Sequence, residues 1–573
     1  MKKVLFVFSP LLLAYLAAAT IGRQDSGSYH RRSWKENIIG CSISNEDEIS
    51  PRPDGKYIGV MPGWGNHHYA ISSKSDSAQL YFDQGLSLYY SYHHREATAS
   101  FKEAARFDSS CAIIYWGEAL AMGPSYNGGY SYRMNAEVPD AIRLMYRFAG
   151  AAANKEKDLV DAMSTRYNIS DPTDAKRAEL NKQYAESMKA LAEKYSMDND
   201  VKAIYVDAVM LVHPWDFWNN DGTPEAWTNT LVQYCREILA ADPHHPAALH
   251  YYIHLTEASR SPEVALPCAD SLKKLFPGVA HMVHMASHEY ERSGDYGSGV
   301  QVNDKADSDL GNYRSLAAGL GLAAHASHYF AVATYCAISG AMYAEGMKNA
   351  IHARNNVEPG SENTYAQYIF MLPQIARVRL GKWNEILRDS TTIHGDWVYA
   401  TLLDDFARGM AYSKKGESFS AMKCLSKIKQ EMQQGNLHER FTPYESSPYE
   451  CAEIAQHLLA ATINFSLNKT DSAIIEAKMA ITSEDKLLYT EPKLWMVPAR
   501  QYLGAIMLKI GRFTDAENLY REDLVWNPGN PWSLVGLYQA LDAAHQTAEL
   551  SRIKSQYLRG FSNAETVPNT SAY

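Results

Sequence analysis

Two pairs of histidines carry the strongest chemical signal in this chain. His250 and His254 lie four residues apart, as do His284 and His288, and the second pair repeats the first 34 residues later. On an α-helix, positions i and i+4 share a face, so each pair presents two imidazoles together. Neighbouring helices pack about 8–10 Å apart, a gap that facing histidines can close on one ion held ~2.0–2.1 Å from each nitrogen. Nitrogen donors of this kind suit first-row transition metals, and Met282 and Met285 add soft character fit for copper. The spacing therefore predicts Cu, Zn or Fe on His250, His254, His284 and His288. Candidate additional ligands are His281, His325, His328 and Glu257, with His67 and His68 placed to fold over the site from the N-terminal side. A metal-bound imidazole usually hands its other nitrogen to a carboxylate or carbonyl, and Asp216, Glu118 and Glu289 are candidates for that role.

The competing reading is ordinary packing, in which histidines among tyrosines are hydrogen-bonded interior groups or contacts to a peptide. It is preferred for His93 and His94, at a turn, and for the isolated His352, His394, His438, His457 and His545. Other catalytic signatures are weak or missing. The segment His288-Glu289-Tyr290-Glu291-Arg292 lacks the second histidine of a zincin, and Ser271 to Lys274 matches S-x-x-K by spacing alone. There is no G-x-S-x-G, Walker loop or Rossmann glycine pattern.

The elements that must position these residues are helical. No segment alternates with period two, and 34 residues is the period of a tetratricopeptide (TPR) repeat. With Ala97 at repeat position 20, Gly85, Phe101 and Ala104 fall at positions 8, 24 and 27. With Ala265 and Gly299 at position 20, the four histidines take positions 5 and 9 of successive first helices, the positions that line a TPR groove. Gly381-Lys382-Trp383, Gly416-Glu417-Ser418 and Gly511-Arg512-Phe513 repeat the turn between two helices, and NPWSLVGLYQALDAAHQ reads as a capping helix. The expected fold is all-α, a TPR-like α-solenoid wound as a right-handed superhelix. The expected organisation is a signal peptide at 1–19, a flexible polar leader at 20–56, an N-terminal solenoid half with the histidines at 57–345, further repeats at 346–561 and a disordered tail at 562–573.

Lys2 and Lys3, the apolar run from Val4 to Leu16 and the Ala17-Ala18-Ala19 cleavage site make the start a secretory signal. The protein is thus expected to be exported, periplasmic or secreted, with no transmembrane segment once the signal is removed. The chain of 573 residues is 46% apolar and 21% charged, and it carries a formal charge of −10. These values fit a folded soluble protein and argue against a nucleic-acid partner, which would need a basic stripe. Seven scattered cysteines without CxxC or CxxCH exclude a zinc ribbon and attached haem; most lie in apolar helical patterns and read as buried thiols.

Several stretches together resemble a family of exported bacterial TPR proteins with the motif HPxAxHYYIH…GHxVHMxSHxY. Here it stands as His245 to His254 and Ala280 to Tyr290, with Ala280 in place of the usual Gly and Ala286 in place of a common Pro. FDQGL (Phe82 to Leu86), YWGEALAMGP and the late LGA…NPGN stretch (Leu503 to Asn530) are similar too. The resemblance covers roughly residues 64–545; it implies the fold and supplies no reaction. From the residues, the first functional expectation is a groove-facing metal site, serving a metal-dependent oxidoreductase or hydrolase that acts on a small-molecule or peptide ligand. The second is a non-catalytic TPR scaffold whose concave groove binds a peptide or protein partner.

Overall fold

One backbone turn, found eight times among the described residues, sets the architecture. A residue in the left-handed region ends a helix, and the next residue's N–H reaches back five positions to a carbonyl of its last turn. It occurs at Tyr92, Gly294, Ala341, Gly381, Gly416, Asn468, Gly511 and His545 (φ +56° to +83°), with return bonds such as His93 N–H to the Leu88 carbonyl (2.9 Å) and Arg512 N–H to the Met507 carbonyl (2.9 Å). This is the Schellman closure, which satisfies the orphan carbonyls of a helix end and reverses the chain. Each reversal yields an antiparallel helical hairpin.

A computed structural model describes residues 48–573, leaving out 128–131, 172, 314–319 and 321–325 and the side chains of 311–313 and 326. The expected signal peptide, the leader as far as residue 47, Cys41 and His325 lie outside the described residues. The described helices are α1 (Asp76–Tyr90), α2 (His94–Phe107), α3 (Ala112–Ala121), α4 (Val138–Phe148), α5 (Asn154–Met163), α6 (Arg177–Lys194), α7 (Asn199–Val212) and α8 (Thr228–Ala241). Then come α9 (Pro246–Thr256), α10 (Leu266–Leu275), α11 (Ala280–Ser293), α12 (Tyr296–Tyr313), α13 (Ala326–Ser339), α14 (Tyr343–Asn355), α15 (Thr364–Arg379) and α16 (Trp383–Arg388). The chain ends with α17 (Val398–Lys414), α18 (Ser418–Glu431), α19 (Pro448–Ser466), α20 (Thr470–Glu484), α21 (Ala499–Lys509), α22 (Phe513–Trp526), α23 (Pro531–Ala543) and α24 (Leu550–Gly560). Each helix packs chiefly on its neighbours in sequence, and alternate helices such as α9, α11 and α13 touch one another. Such stacking of hairpins is the repeat-protein solution to burying apolar faces: the fold is an all-α, TPR-like solenoid. Among the described residues no helix is long and apolar enough to cross a membrane.

The apolar core runs as one cluster from Ile49 to Tyr329 and a second from Tyr296 to Ala572, which overlap in sequence across α12 and α13, and a smaller third cluster lies within the late repeats. The late repeats also fold back onto the middle of the chain. Trp532 Nε1 donates to the Ser339 carbonyl (2.8 Å), and Arg292 Nη1 to the Trp526 carbonyl (3.0 Å). Gly294 and Gly529 meet backbone to backbone; a Cβ on Gly294 would lie 2.6 Å from the Gly529 carbonyl oxygen. With φ of +83° as well, only glycine fits there.

Three terminal expectations need correction. The end of the leader is docked: Ile49 is buried, and its N–H donates to a Glu137 carboxylate oxygen (3.3 Å). The capping helix α23 is followed by another, α24. The tail from 562 is packed instead of disordered, with Ser571 in hydrogen bonds to the Tyr520 hydroxyl (2.7 Å) and the Gln501 carbonyl (3.0 Å) and Tyr573 edge-on to Trp532. Polar composition at a chain end hid these anchoring contacts.

Candidate metal centre

Helices α9, α11 and α13 lie side by side, and six of their histidines form a continuous cluster. His250, His254 and His281 bring one ligand nitrogen each to within 4.8 Å of one another, and so do His284, His288 and His328. Each group takes an i, i+4 pair from one helix and a single ring from the next. The expected site of four convergent imidazoles therefore resolves into two sites of three. The i, i+4 pairs hold together because one helix fixes them; the third ring comes from the following helix and depends on packing between hairpins.

The proton on each ring can be read from its outer partner. His250 Nδ1 meets the Tyr90 carbonyl (2.6 Å), His254 Nδ1 a Glu257 carboxylate oxygen (2.9 Å), His288 Nδ1 the other Glu257 oxygen (2.8 Å) and His284 Nδ1 the Asn303 amide oxygen (2.6 Å). The Asn303 NH₂ group donates to the Gly299 carbonyl (2.8 Å), which turns its oxygen to the ring. All four partners accept, so each Nδ1 carries the proton and donates it outward. Each Nε2 then turns its lone pair inward. Yet His250 Nε2 lies 3.1 Å from His254 Nε2, and His284 Nε2 lies 3.1 Å from His288 Nε2; His281 Nε2 is 3.1 Å from His250 Nε2. Lone pairs opposed at that distance repel unless a cation lies between them. Two ligands on one tetrahedral ion with bonds of ~2.0–2.1 Å sit about 3.3 Å apart, close to the observed spacing.

Burial makes a proton a poor substitute for that cation. Burial first, and then the neighbouring His254, hold the His250 pKa well below the usual imidazole value; burial also lowers His254, against the pull of Glu257. Glu257 is the one carboxylate shared by both sites. Burial would raise its pKa, but His254 and His288 keep it well below the usual carboxylate range. It meets both rings at Nδ1 and so orients them from outside, and with His254 and His288 it forms a further group whose ligand atoms lie within 4.8 Å of one another.

The centre is interior, not groove-facing: none of the six rings belongs to a residue more than 7% exposed. Tyr92 packs its ring 4.5 Å from that of His250, with a positive φ that a bulky residue rarely adopts. Tyr126 lies 5.0 Å from His254 and Tyr329 4.3 Å from His284, centroid to centroid. Nor do His67 and His68 fold over the cluster. His67 Nε2 pairs with Asp200 (2.8 Å), where His245 also approaches (3.5 Å), and His68 Nδ1 bonds Asp83 (2.8 Å). Of the outer partners proposed from sequence, Asp216, Glu118 and Glu289 make no hydrogen bond to these rings among the described residues; Glu118 is buried near Lys102 and Glu137, its pKa pushed up to about 8 by burial. Glu257, the Tyr90 carbonyl and Asn303 do that work, and the last two carry no sequence signal. The six described cysteines are buried free thiols.

No protein-family model matches this chain, and no curated protein matches it. Among solved structures, human IFIT1 bound to m7Gppp-AAAA is similar at 11% identity over 87% of this chain and 92% of that one, with a TM-score of 0.32. The Cut9–Hcn1 hetero-tetramer of the APC/C is 10% identical over 87% and 79% (TM-score 0.30), and the TPR domain of P58(IPK) 11% identical over 85% and 97% (TM-score 0.19). At that level of likeness no ligand or partner transfers, and the fold class stands on the repeated hairpin turn itself.

Proposed function

We propose that this chain is an exported TPR-type protein that holds two transition-metal ions in adjacent sites, His250–His254–His281 and His284–His288–His328. The observation that supports this is the opposition of protonless Nε2 atoms at 3.1 Å within each i, i+4 pair. A merely hydrogen-bonded cluster would place a proton between them, but those protons are spent outward. Three imidazole nitrogens leave room in the coordination sphere and suit Cu, Zn or Fe; such an ion would supply Lewis acidity or, for Cu and Fe, electron transfer. Export is supported by the sequence at residues 1–19, and the motif resemblance is consistent with it.

The depth of the six rings favours a scaffold that contains metal over an oxidoreductase or hydrolase that presents it. In that reading the ions brace α9, α11 and α13, and the solenoid surface carries the protein's contacts to a peptide or protein partner. Metal analysis of untagged protein recovered from the exported fraction tests the central reading. About two equivalents of one first-row metal per chain support it, with X-ray absorption showing nitrogen ligands at ~2.0–2.1 Å. Protein that is metal-free and takes up no Cu(I), Zn(II) or Fe(II) on titration refutes it.

A further inference from the structure

A cavity of about 400 Å³ lies where the late repeats meet the middle of the chain, lined from the α7–α8 connection, the segment after α9, α11 and residues 443–527. Its volume is within the range of small-molecule sites. Trp215, Trp218, Tyr444, Tyr489 and Trp526 supply flat apolar walls. None of the six clustered histidines lines it.

Three of its cations have no carboxylate within ion-pair distance among the described residues. Arg292 is 4% exposed, and its guanidinium donates only to backbone carbonyls, those of Glu257 (2.8 Å), Trp526 (3.0 Å) and Ser259 (3.2 Å). A guanidinium has five N–H donors, so this buried charge keeps donors and is not neutralised. Arg260 stacks its guanidinium 3.6 Å from the centre of the Trp526 ring and donates to the Asn220 carbonyl. Lys493 donates to the Asn527 side-chain oxygen. The acids of the wall are engaged elsewhere: Asp485 takes both arms of Arg500 (2.5 and 2.7 Å), Asp523 accepts from Gln501, Asn527 and Ser533, and Glu484 accepts from the Ala499 N–H (2.7 Å). The lining carries four acids, Asp216, Glu484, Asp485 and Asp523, against four cations, Arg260, Arg292, Lys493 and Arg500, but the ion pair formed among them is Asp485 with Arg500.

Three cations on one concave wall that no carboxylate pairs attract an oxyanion, and the flanking indoles and phenols suit a flat body. We propose that this cavity binds a small organic oxyanion, its carboxylate or phosphate on Arg260, Arg292 and Lys493 and its flat apolar part against Trp215 and Trp526. The site does not depend on the metal reading. It is nevertheless a near neighbour of that centre. Arg292 holds the backbone of Glu257, and Tyr126 lies 4.4 Å from Trp215 and 5.0 Å from His254, centroid to centroid.

Calorimetric titration of the full chain with benzoate, phenyl phosphate, inorganic phosphate and the neutral isostere benzamide tests this. Saturable binding of benzoate or phenyl phosphate is expected, with inorganic phosphate weaker and benzamide weaker by at least about tenfold, as loss of a charge-assisted contact implies. Arg260→Gln, on the accessible side of Trp526, should weaken the anion by a similar factor; Lys493→Gln gives a second reading if that variant does not fold. Equal binding of benzoate and benzamide overturns the proposal, and so does an affinity unchanged in a folded variant. So does the absence of saturable anion binding below about 10 mM. Repeating the titration on chelator-treated protein separates the two readings: an oxyanion that binds metal-free protein shows the cavity works whether or not the histidines hold metal.

Discussion

Two histidine clusters of this molecule look alike by proximity and differ in where their protons point. His67, Asp200 and His245 bring three ligand-type atoms within 4.8 Å, as each histidine triad of the candidate metal centre does. In that cluster the charge closes on itself. Asp200 faces both imidazoles and accepts from the Tyr90 hydroxyl (2.9 Å). Burial would raise its carboxyl pKa, but His67 and His245 hold it well below the usual range. Burial works against a charged His67, yet Asp200 outweighs it and raises that pKa. The result is a buried ion pair of Asp200 with His67, with the His245 ring at its edge. In the triads of α9, α11 and α13 the protons leave the cluster for Tyr90, Glu257 and Asn303, and lone pairs remain opposed. Tyr90 joins the two regions, with its carbonyl on one and its hydroxyl on the other. Donor type and distance alone do not mark a metal site; the direction of the remaining hydrogen bonds does.

The largest expected effect separates the clusters by metal content. Removing bound metal with a chelator should lower the melting temperature of the wild type, since a ligand at 1,000 times its Kd contributes about 4 kcal/mol. The His67→Ala protein should keep the metal content and the chelator response of the wild type. Glu257→Gln and Asp200→Asn sharpen the contrast. The first should weaken metal affinity about 10- to 100-fold, the usual cost of losing an outer partner. Asp200→Asn should leave metal content intact and cost about 3 kcal/mol of stability, as breaking a buried pair does, read by denaturant unfolding.

The same pair predicts a pH signature. A carboxylate with a depressed pKa stabilises the fold above its unfolded value, about 3.9, and that stability is lost as pH falls through the folded value. A histidine with a raised pKa stabilises below its unfolded value, about 6.5, and loses that contribution as pH rises through the folded one. The His67–Asp200 contribution should therefore be complete between about pH 4 and 6.5 and decline on both sides. Unfolding curves of Asp200→Asn across pH should lack both limbs; a variant with the wild-type profile would break the assignment. The smallest effect belongs to His68→Ala, an exposed ring on Asp83, which should change stability by no more than about 1 kcal/mol and leave metal content untouched.

Much of this was legible in the sequence, and the gaps have physical causes. Histidines at i, i+4 and a 34-residue offset located the cluster because helical period and repeat period are local properties. The grouping into triads was not legible: His328 follows His284 by 44 residues, outside the repeat register, and its place depends on how α13 packs on α11. Burial of the site was hidden too, because two of the rings that wall it, Tyr92 on His250 and Tyr126 on His254, come from residues more than a hundred positions earlier in the chain. Of the eight hairpin turns among the described residues, three showed themselves through glycine, at Gly381, Gly416 and Gly511, and the repeat register placed a fourth beside His93 and His94. Ala341 and His545 take the left-handed region with no such mark in the sequence. At Tyr92 the ring packs on three of the clustered histidines, and a glycine there would relax the turn and remove that wall.

The most direct test is the metal stoichiometry of four proteins purified side by side: wild type, His250→Ala, His288→Ala and the double variant. Two adjacent, separately built sites predict about two, one, one and no equivalents, with all four chains retaining helical circular dichroism. A wild type without metal, or a double variant that retains the wild-type content while folded, would contradict the account.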